Sequence, residues 1–214
     1  MILSNLEKRR NKIILYFDES EKIEIYYEVY SNLSILKGDQ LSPKRIEEIK
    51  LANAEFEVKN SAFRYLSNRN HSIFELKTKL KKKGFNSQII ENVISYLIDK
   101  KFLNDYTFAE NFVRNKVEGR KEGIMKITSE LYQKGIAREI ISEVTESIKE
   151  NPKNMLNAFE LGKSKLGIIQ KRGETDYTKI KSKLFLFLKG RGFTNDVIYE
   201  VISKLNIHNE EFDD

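Results

Sequence analysis

Residues 79–85 read Lys79-Leu80-Lys81-Lys82-Lys83-Gly84-Phe85, and the phrase decides the fold because its skeleton occurs three times. Gly84 has Leu80 four residues before it and Phe85 after it, then Ile89, Ile90 and Val93. Gly135 has Leu131 and Ile136 at the same offsets, then Ile140, Ile141 and Val144. Gly192 has Leu188 and Phe193, then Val197, Ile198 and Val201. Eight residues before each glycine stands a further aliphatic: Leu76, Ile127 and Leu184. Self-similarity of this kind marks a repeat architecture. A glycine just past a helix can adopt the left-handed conformation, and the residue after it then packs on the residue four before the glycine. The spacing therefore predicts a helix, a sharp stop and a new helix, three times over, with Leu80 on Phe85, Leu131 on Ile136 and Leu188 on Phe193.

Working outward, Ser72-Ile73-Phe74-Glu75 is a capping box that starts the helix ending near Lys83. The helices after the glycines are expected to start on Asn86 or Ser87, on Ala137 and on Thr194. A further helix is expected before each pair: one holding Ala62-Phe63-Arg64-Tyr65-Leu66, one beginning at Asn104-Asp105, one beginning at Asn151-Pro152. The polar stretch Gly167 to Tyr177 reads as a long loop on which the third unit could swing. Upstream, residues 12–17 and 23–30 are rich in β-branched and aromatic residues and read as a hairpin, although residues 24–30 could instead open a helix. Ser42-Pro43 then marks the start of a short helix. The expected fold is mainly α: an N-terminal β-hairpin region with a short helix over 1–51, then three tandem three-helix repeats over 52–103, 104–150 and 151–214, the last with an acidic tail.

The 214 residues carry 33 % charged and 40 % apolar side chains, with two prolines and no cysteine. That composition favours helices and excludes disulfides, thiolate metal sites and cysteine nucleophiles. The N-terminus lacks the order of a secretory signal, and no apolar run approaches a membrane span, so a cytoplasmic protein with no membrane partner is expected. No convergent catalytic set is visible. His71 reads as a loop residue and His208 as part of the tail. Glu47-Glu48 and Glu210-Glu211 are adjacent, solvated pairs, and Gly119-Arg120-Lys121-Glu122-Gly123 lacks the spacing of a phosphate loop. An enzyme, a metal and a cofactor are not expected.

The cations remain, with a net charge of +6. Arg69, Lys77, Lys79, Lys81, Lys82 and Lys83 accompany one acid, Glu75. Lys179, Lys181, Lys183, Lys189 and Arg191 lie in a stretch without any. Arg114, Lys116, Arg120, Lys121, Lys126 and Lys134 are diluted by Glu118, Glu122 and Glu130. With Leu76 and Leu80 inward, Lys77, Lys79, Lys81 and Lys82 fan over the outer arc of their helix. One or two lysines would complement a helix C-terminus, at about 0.3–1 kcal/mol each. Five or six exceed that need and suggest a surface for a polyanion or an acidic protein.

Several motifs in order resemble the RecX family: Arg69-x-x-Ser72-x-x-Glu75-Leu76, Leu80-x-x-Lys83-Gly84-Phe85, Phe102-Leu103-Asn104-Asp105-x-x-Phe108-Ala109, Lys134-Gly135-Ile136 and Arg191-Gly192-Phe193, preceded by Leu36-Lys37-Gly38-Asp39-x-Leu41-Ser42. Lys101 departs from the family's frequent glycine, and Asn104 from its frequent aspartate. The resemblance implies an elongated, curved, monomeric body of three helical repeats. It also implies a non-enzymatic regulator of the RecA recombinase, usually inhibitory, that lies on the RecA–DNA filament or caps its growth in recombination, repair and the SOS response. Single- or double-stranded DNA is a possible second partner. On that reading Arg69, Lys77, Lys81, Lys82, Arg114, Arg120, Lys121, Lys126, Lys181, Lys183, Lys189 and Arg191 are the contact candidates. Ser72, Glu75, Gly84, Asp105, Gly135 and Gly192 serve folding. Two rival readings are a DNA-binding repeat protein that acts without RecA, and a helical scaffold for another acidic protein.

Overall fold

The structure, a computed structural model, describes residues 1–18, 21–149 and 152–206. His208, Glu210, Glu211 and the acidic tail lie outside the described residues, as does Asn151. Three strands open the chain: β1 (Leu3–Arg9), β2 (Lys12–Phe17) and β3 (Lys22–Tyr26). They form one antiparallel sheet in the order β1-β2-β3. Two of these answer to the expected hairpin. β1 does not, because an edge strand with only Leu3 fully buried shows little apolar alternation. β2 is central, and Ile13, Leu15 and Phe17 project from one face by the two-residue period of a strand. The run 23–30 splits at Tyr26: the strand ends there and α1 (Tyr27–Tyr30) follows as one helical turn.

α2 (Pro43–Asn68) is one helix of 26 residues where a short helix and a second one were expected. Ser42 caps it by accepting a hydrogen bond from the Arg45 amide at 3.1 Å. No glycine or proline interrupts the sequence between Leu51 and Ser61, while Ala52, Ala54, Glu55 and Glu57 all favour a helix. Its first turns place Ile46 and Ile49 against Leu3, Leu15, Phe17 and Ile25 of the sheet. Further along, Val58 and Ala62 enter a separate core with Leu76, Leu80, Ile90, Val93, Ile94 and Leu97. The latter residues come from α3 (Ile73–Lys82) and α4 (Ser87–Asp99). Residues Met1–Leu103 thus make one compact unit with two cores joined by α2.

The second compact unit starts at Asn104. It holds α5 (Asp105–Gly119), α6 (Ile124–Gln133) and α7 (Arg138–Lys149), then α8 (Pro152–Lys171), α9 (Tyr177–Gly190) and α10 (Asn195–Lys204). Each triplet surrounds its own core, centred on Ile127 and Leu131 in one and on Leu184 and Leu188 in the other. The stretch Gly167–Tyr177 is not a long loop: Leu166, Ile168 and Ile169 carry α8 through Gly167 to Lys171, and only residues 172–176 connect to α9.

The three glycines have φ of +83°, +72° and +90°. Gly135 and Gly192 donate to the carbonyls of Tyr132 and Lys189 at 2.9 Å. Ile136 and Phe193 donate to Leu131 and Leu188 at 3.1 and 3.2 Å, completing the paired bonds of a Schellman stop. Gly84 makes the corresponding bond to Lys81 at 2.9 Å. At the helix starts, the reciprocal Ser72–Glu75 box is formed. Asn86 accepts from the Gln88 and Ile89 amides, and Asn104 from those of Tyr106 and Thr107. Thr194 is the N-cap of α10, as expected, and its side chain makes no hydrogen bond to the helix.

Within the second unit the two triplets are tied by backbone. The Gly123 amide donates to the Arg191 carbonyl and the Met125 amide to the Gly192 carbonyl, both at 2.9 Å. The glycine stop of one repeat therefore satisfies the N-terminal amides of α6 in the other, groups that have no partner inside their own helix. Asn157 adds a buried bond from Nδ2 to the Val117 carbonyl at 2.9 Å. Gly123 has no room for a side chain, since a Cβ there would lie 2.3 Å from the Gly192 carbonyl carbon. Among the described residues no helix is long and apolar enough to cross a membrane.

Candidate binding surface

α3 places its cations by helix period. Leu76 and Leu80 are fully buried, so Lys81 and Lys82, one and two residues past Leu80, stand exposed near the C-terminal end. Among the described residues neither has a carboxylate within ion-pair distance. Their neighbours are engaged. Lys77 Nζ lies 2.5 Å from Glu91 Oε2 and bridges α3 to α4. Lys79 and Lys83 sit over the Tyr65 ring at 4.7 and 5.4 Å. Arg69 grips Glu75 through both guanidinium nitrogens, at 3.0 and 3.3 Å, and also donates to the Asn70 carbonyl. Arg69 thus braces the capping box that starts α3.

Beside this box His71 is 3 % exposed, with Nδ1 at 2.9 Å from the Arg69 carbonyl. A carbonyl can only accept, so Nδ1 carries the proton. Burial lowers the imidazole pKa below its ordinary value, Arg69 and Lys79 reinforce that direction, and the Arg69 carbonyl and Glu75 oppose it. His71 stands in the connection just before the Ser72 cap, as the sequence suggested, and is buried there.

In the second unit the cations divide differently. Arg120, at the end of α5, is exposed, and its carbonyl accepts from Arg191 Nη2. Arg114 donates to Asn111 Oδ1, Lys121 pairs with Glu160 of α8, and Lys126 Nζ donates to Glu122 Oε1 at 2.9 Å. Glu122 is 4 % exposed and also faces Lys116, whose Nζ lies 2.9 Å from Oε2 at an angle outside hydrogen-bond geometry. Lys116 reaches Glu130 as well. Burial pushes the Glu122 carboxyl up, but the attraction of Lys116 and Lys126 outweighs it, and the net pKa lies below the usual value. The sequence named Lys116 among the cations of this unit but gave no sign of its buried ion pairs. Its burial was legible: Phe112, Val113, Lys116 and Val117 share one helix face, and Lys116 lies within the apolar stripe.

On α9, Lys183 pairs with Glu174 at 2.5 Å and Lys179 with Asp176 at 3.4 Å. The hydrogen bond from Lys183 holds the Glu174 carboxyl below its usual pKa, and the Lys179 amide does the same for Asp176. Lys181 lies over the Tyr177 ring at 4.1 Å. Lys189 donates to Asn195 Oδ1 at 2.8 Å. Arg191 is half-buried at the joint between the two repeats, close to Arg120. The candidates are therefore of two kinds. Arg69, Lys77, Lys121, Lys126 and Lys183 are engaged with carboxylates of the fold and Arg191 with a carbonyl. Lys81, Lys82, Arg114, Arg120, Lys181 and Lys189 project cationic groups that no carboxylate of the described residues neutralises.

Comparison with known proteins gives this arrangement its context. Residues 59–97 match the family model for RecX, first three-helix domain, and residues 104–144 that for RecX, second three-helix domain. A protein named "Regulatory protein RecX" from Clostridium perfringens (strain SM101) is 29 % identical over 201 residues, covering 94 % of this chain and 93 % of that one. Its namesake from Lactobacillus johnsonii is 28 % identical over 208 residues, covering 97 % of this chain and 75 % of that one. Among solved structures, "Crystal structure of regulatory protein RecX" superposes with a TM-score of 0.75 at 22 % identity, covering 95 % and 98 % of the two chains. That of RecX from Lactobacillus salivarius gives 0.65 at 24 % identity, covering 73 % and 99 %. The fold, the two matched domains and the relatives aligned over nearly the whole chain agree: residues 59–97 and 104–144 form RecX three-helix domains, and the chain is similar to RecX regulatory proteins along almost its entire length.

Proposed function

We propose that the chain regulates the RecA recombinase without enzymatic activity of its own. It binds the RecA–DNA filament through the cationic faces of its helical repeats and restrains ATP hydrolysis and strand exchange. The family name supports the regulatory part. The observation that carries the binding part is the pair Lys81–Lys82, held exposed at the end of a well-capped helix with no carboxylate of the described residues to neutralise it. Charges that the fold does not use are available to phosphates or to acidic protein surfaces. Arg114, Arg120, Lys181 and Lys189 extend the same argument to the second unit. Arg69, Lys77, Lys121, Lys126, Lys183 and Arg191 support the surface by holding its elements in place, a positioning contribution. The expected domains 1–51, 52–103, 104–150 and 151–214 serve on this reading as an N-terminal base and three binding repeats.

The experiment adds the protein to RecA filaments on single-stranded DNA and follows ATP hydrolysis and strand exchange. Substoichiometric protein slows both. Lys81→Glu with Lys82→Glu raises the concentration needed by at least about tenfold, since a phosphate that meets no cation keeps its counterions and their release no longer drives binding. Wild-type protein without effect at stoichiometric amounts refutes the function. An unaltered double variant refutes the part given to these lysines.

A further inference from the structure

α9 contains five consecutive apolar residues, Leu184-Phe185-Leu186-Phe187-Leu188. At about 100° per residue such a run spans most of the helix circumference, and only part of it can face the core. Ile180, Leu184 and Leu188 are buried, and Leu186 consequently projects outward, 69 % exposed. It forms a ridge between two hollows. One, of about 690 Å³, lies between α9 and α10, where Phe185 meets Tyr199 with ring centroids 5.6 Å apart. The other, of about 570 Å³, lies between α8 and α9 and is floored by Ile168, Ile169 and Phe187. Tyr199 and Ile168 are themselves 60 % and 44 % exposed.

The rim of this apolar strip is basic. Lys181 stands at the first hollow, Lys165 and Arg172 at the second. Lys179 and Lys183 are taken by Asp176 and Glu174, but among the described residues no carboxylate lies within ion-pair distance of Lys181, Lys165 or Arg172. The occupant must answer both features. A nucleic-acid backbone would match the cations and leave Leu186 against hydrated phosphates. A purely apolar segment would cover Leu186 and strand the cations beside it.

We propose that this face of α9 docks a segment of the protein partner that carries large apolar side chains flanked by carboxylates. The assignment rests on RecA as that partner and adds where the protein, as distinct from the DNA, is held. The amphipathic helix laid in a groove is the mode that fits, with one apolar side chain in each hollow and acids on the rim.

The test uses full-length chain with Leu186→Asp, with Lys181→Glu, and with a benzophenone amino acid at position 186. Binding is measured to RecA filaments on oligo(dT) and, separately, to the bare oligonucleotide. L186D is expected to weaken filament binding at least tenfold, with bare-DNA binding and circular dichroism unchanged, and K181E to weaken filament binding several-fold. The photo-adduct is expected on an acid-rich segment of RecA. L186D that binds filaments like wild type overturns the proposal, as does an adduct on DNA or on a second copy of this chain. Should L186D fail to fold, the photo-adduct alone decides. Wild-type protein that does not bind filaments at all refutes the RecA function itself, a result distinct from the others.

Discussion

Gly123→Ala isolates the joint between the two repeats of the second unit. Gly123 has φ of −82°, a conformation alanine adopts freely, so the substitution introduces no backbone strain. Its Cβ, however, would lie 2.3 Å from the Gly192 carbonyl carbon and oxygen and 2.4 Å from the Phe193 amide nitrogen. These are backbone atoms, and none can rotate away. Restoring ordinary contact requires the Gly192 turn and the α6 N-terminus to separate by roughly 1 Å or more, from the packing distances of non-bonded carbon. That breaks the bonds Gly123 N–H to Arg191 and Met125 N–H to Gly192. Each contributes about 1 kcal/mol, and each group left buried and unpaired costs about 1–3 kcal/mol. The expected loss therefore runs from about 2 kcal/mol, where water reaches both amides, to about 6 kcal/mol, where both stay buried and unpaired. Gly84→Ala is the companion measurement: a Cβ there meets nothing within 4 Å, and only φ of +83° opposes it, at about 1–2 kcal/mol. Urea denaturation followed by circular dichroism ranks the two, and hydrogen exchange at Met125 shows whether the joint itself has opened. Gly123→Ala within about 0.5 kcal/mol of wild type, which is the error of such comparisons, or Met125 protected as before, would refute the idea that the glycines are there for close approach.

Three further outcomes follow from particular residues. Lys101 has φ of +61° just past α4, where Phe102 donates to the Leu97 carbonyl as in the glycine stops, and Lys101→Gly should stabilise the first unit by about 0.5–1 kcal/mol in urea melts. Glu122→Ala leaves Lys116 buried with only Glu130 and removes the partner of Lys126; truncating one member of a buried ion network costs about 3–5 kcal/mol, and calorimetry of the variant should show it. His71 has a pKa lowered by burial, so the unfolded chain binds more protons than the folded one between the folded value and the ordinary value near 6.5. Stability is then full above about pH 6.5 and declines as pH falls through that window, and His71→Gln should flatten the decline in urea midpoints taken between about pH 7.5 and 5.5.

The parts of this fold that could be read from sequence are those whose cause is local. A glycine with apolar residues at −4 and +1 becomes a helix stop whatever surrounds it, because the left-handed conformation and the leucine contact both arise within about six residues. Ser72 with Glu75, and Asn104 ahead of Tyr106, are legible for the same reason. The long α2 was legible in principle, since only the assumption of a domain boundary divided a sequence with no breaker in it. β1 was not, because an edge strand with one polar face and few buried residues leaves almost no pattern to find.

The division of the cations could not be seen in advance, and the reason is physical. A lysine is spent or available according to which carboxylate the tertiary fold brings to it. Glu91 reaches Lys77, and Glu160 reaches Lys121, from other helices. Counting charges along the chain treated Lys77 and Lys81 alike, although one staples two helices and the other faces solvent. The same blindness hid the joint, since the chemistry of Gly123 and Gly192 exists only where two distant backbones meet. Yet both were within the repeated phrase or beside it. The third copy of Gly-aromatic after a leucine ends a helix as the first does, and in addition presents its carbonyl to α6. A stop that recurs for local reasons has there acquired a second partner, and that is why replacing Gly192 should cost more than replacing Gly84.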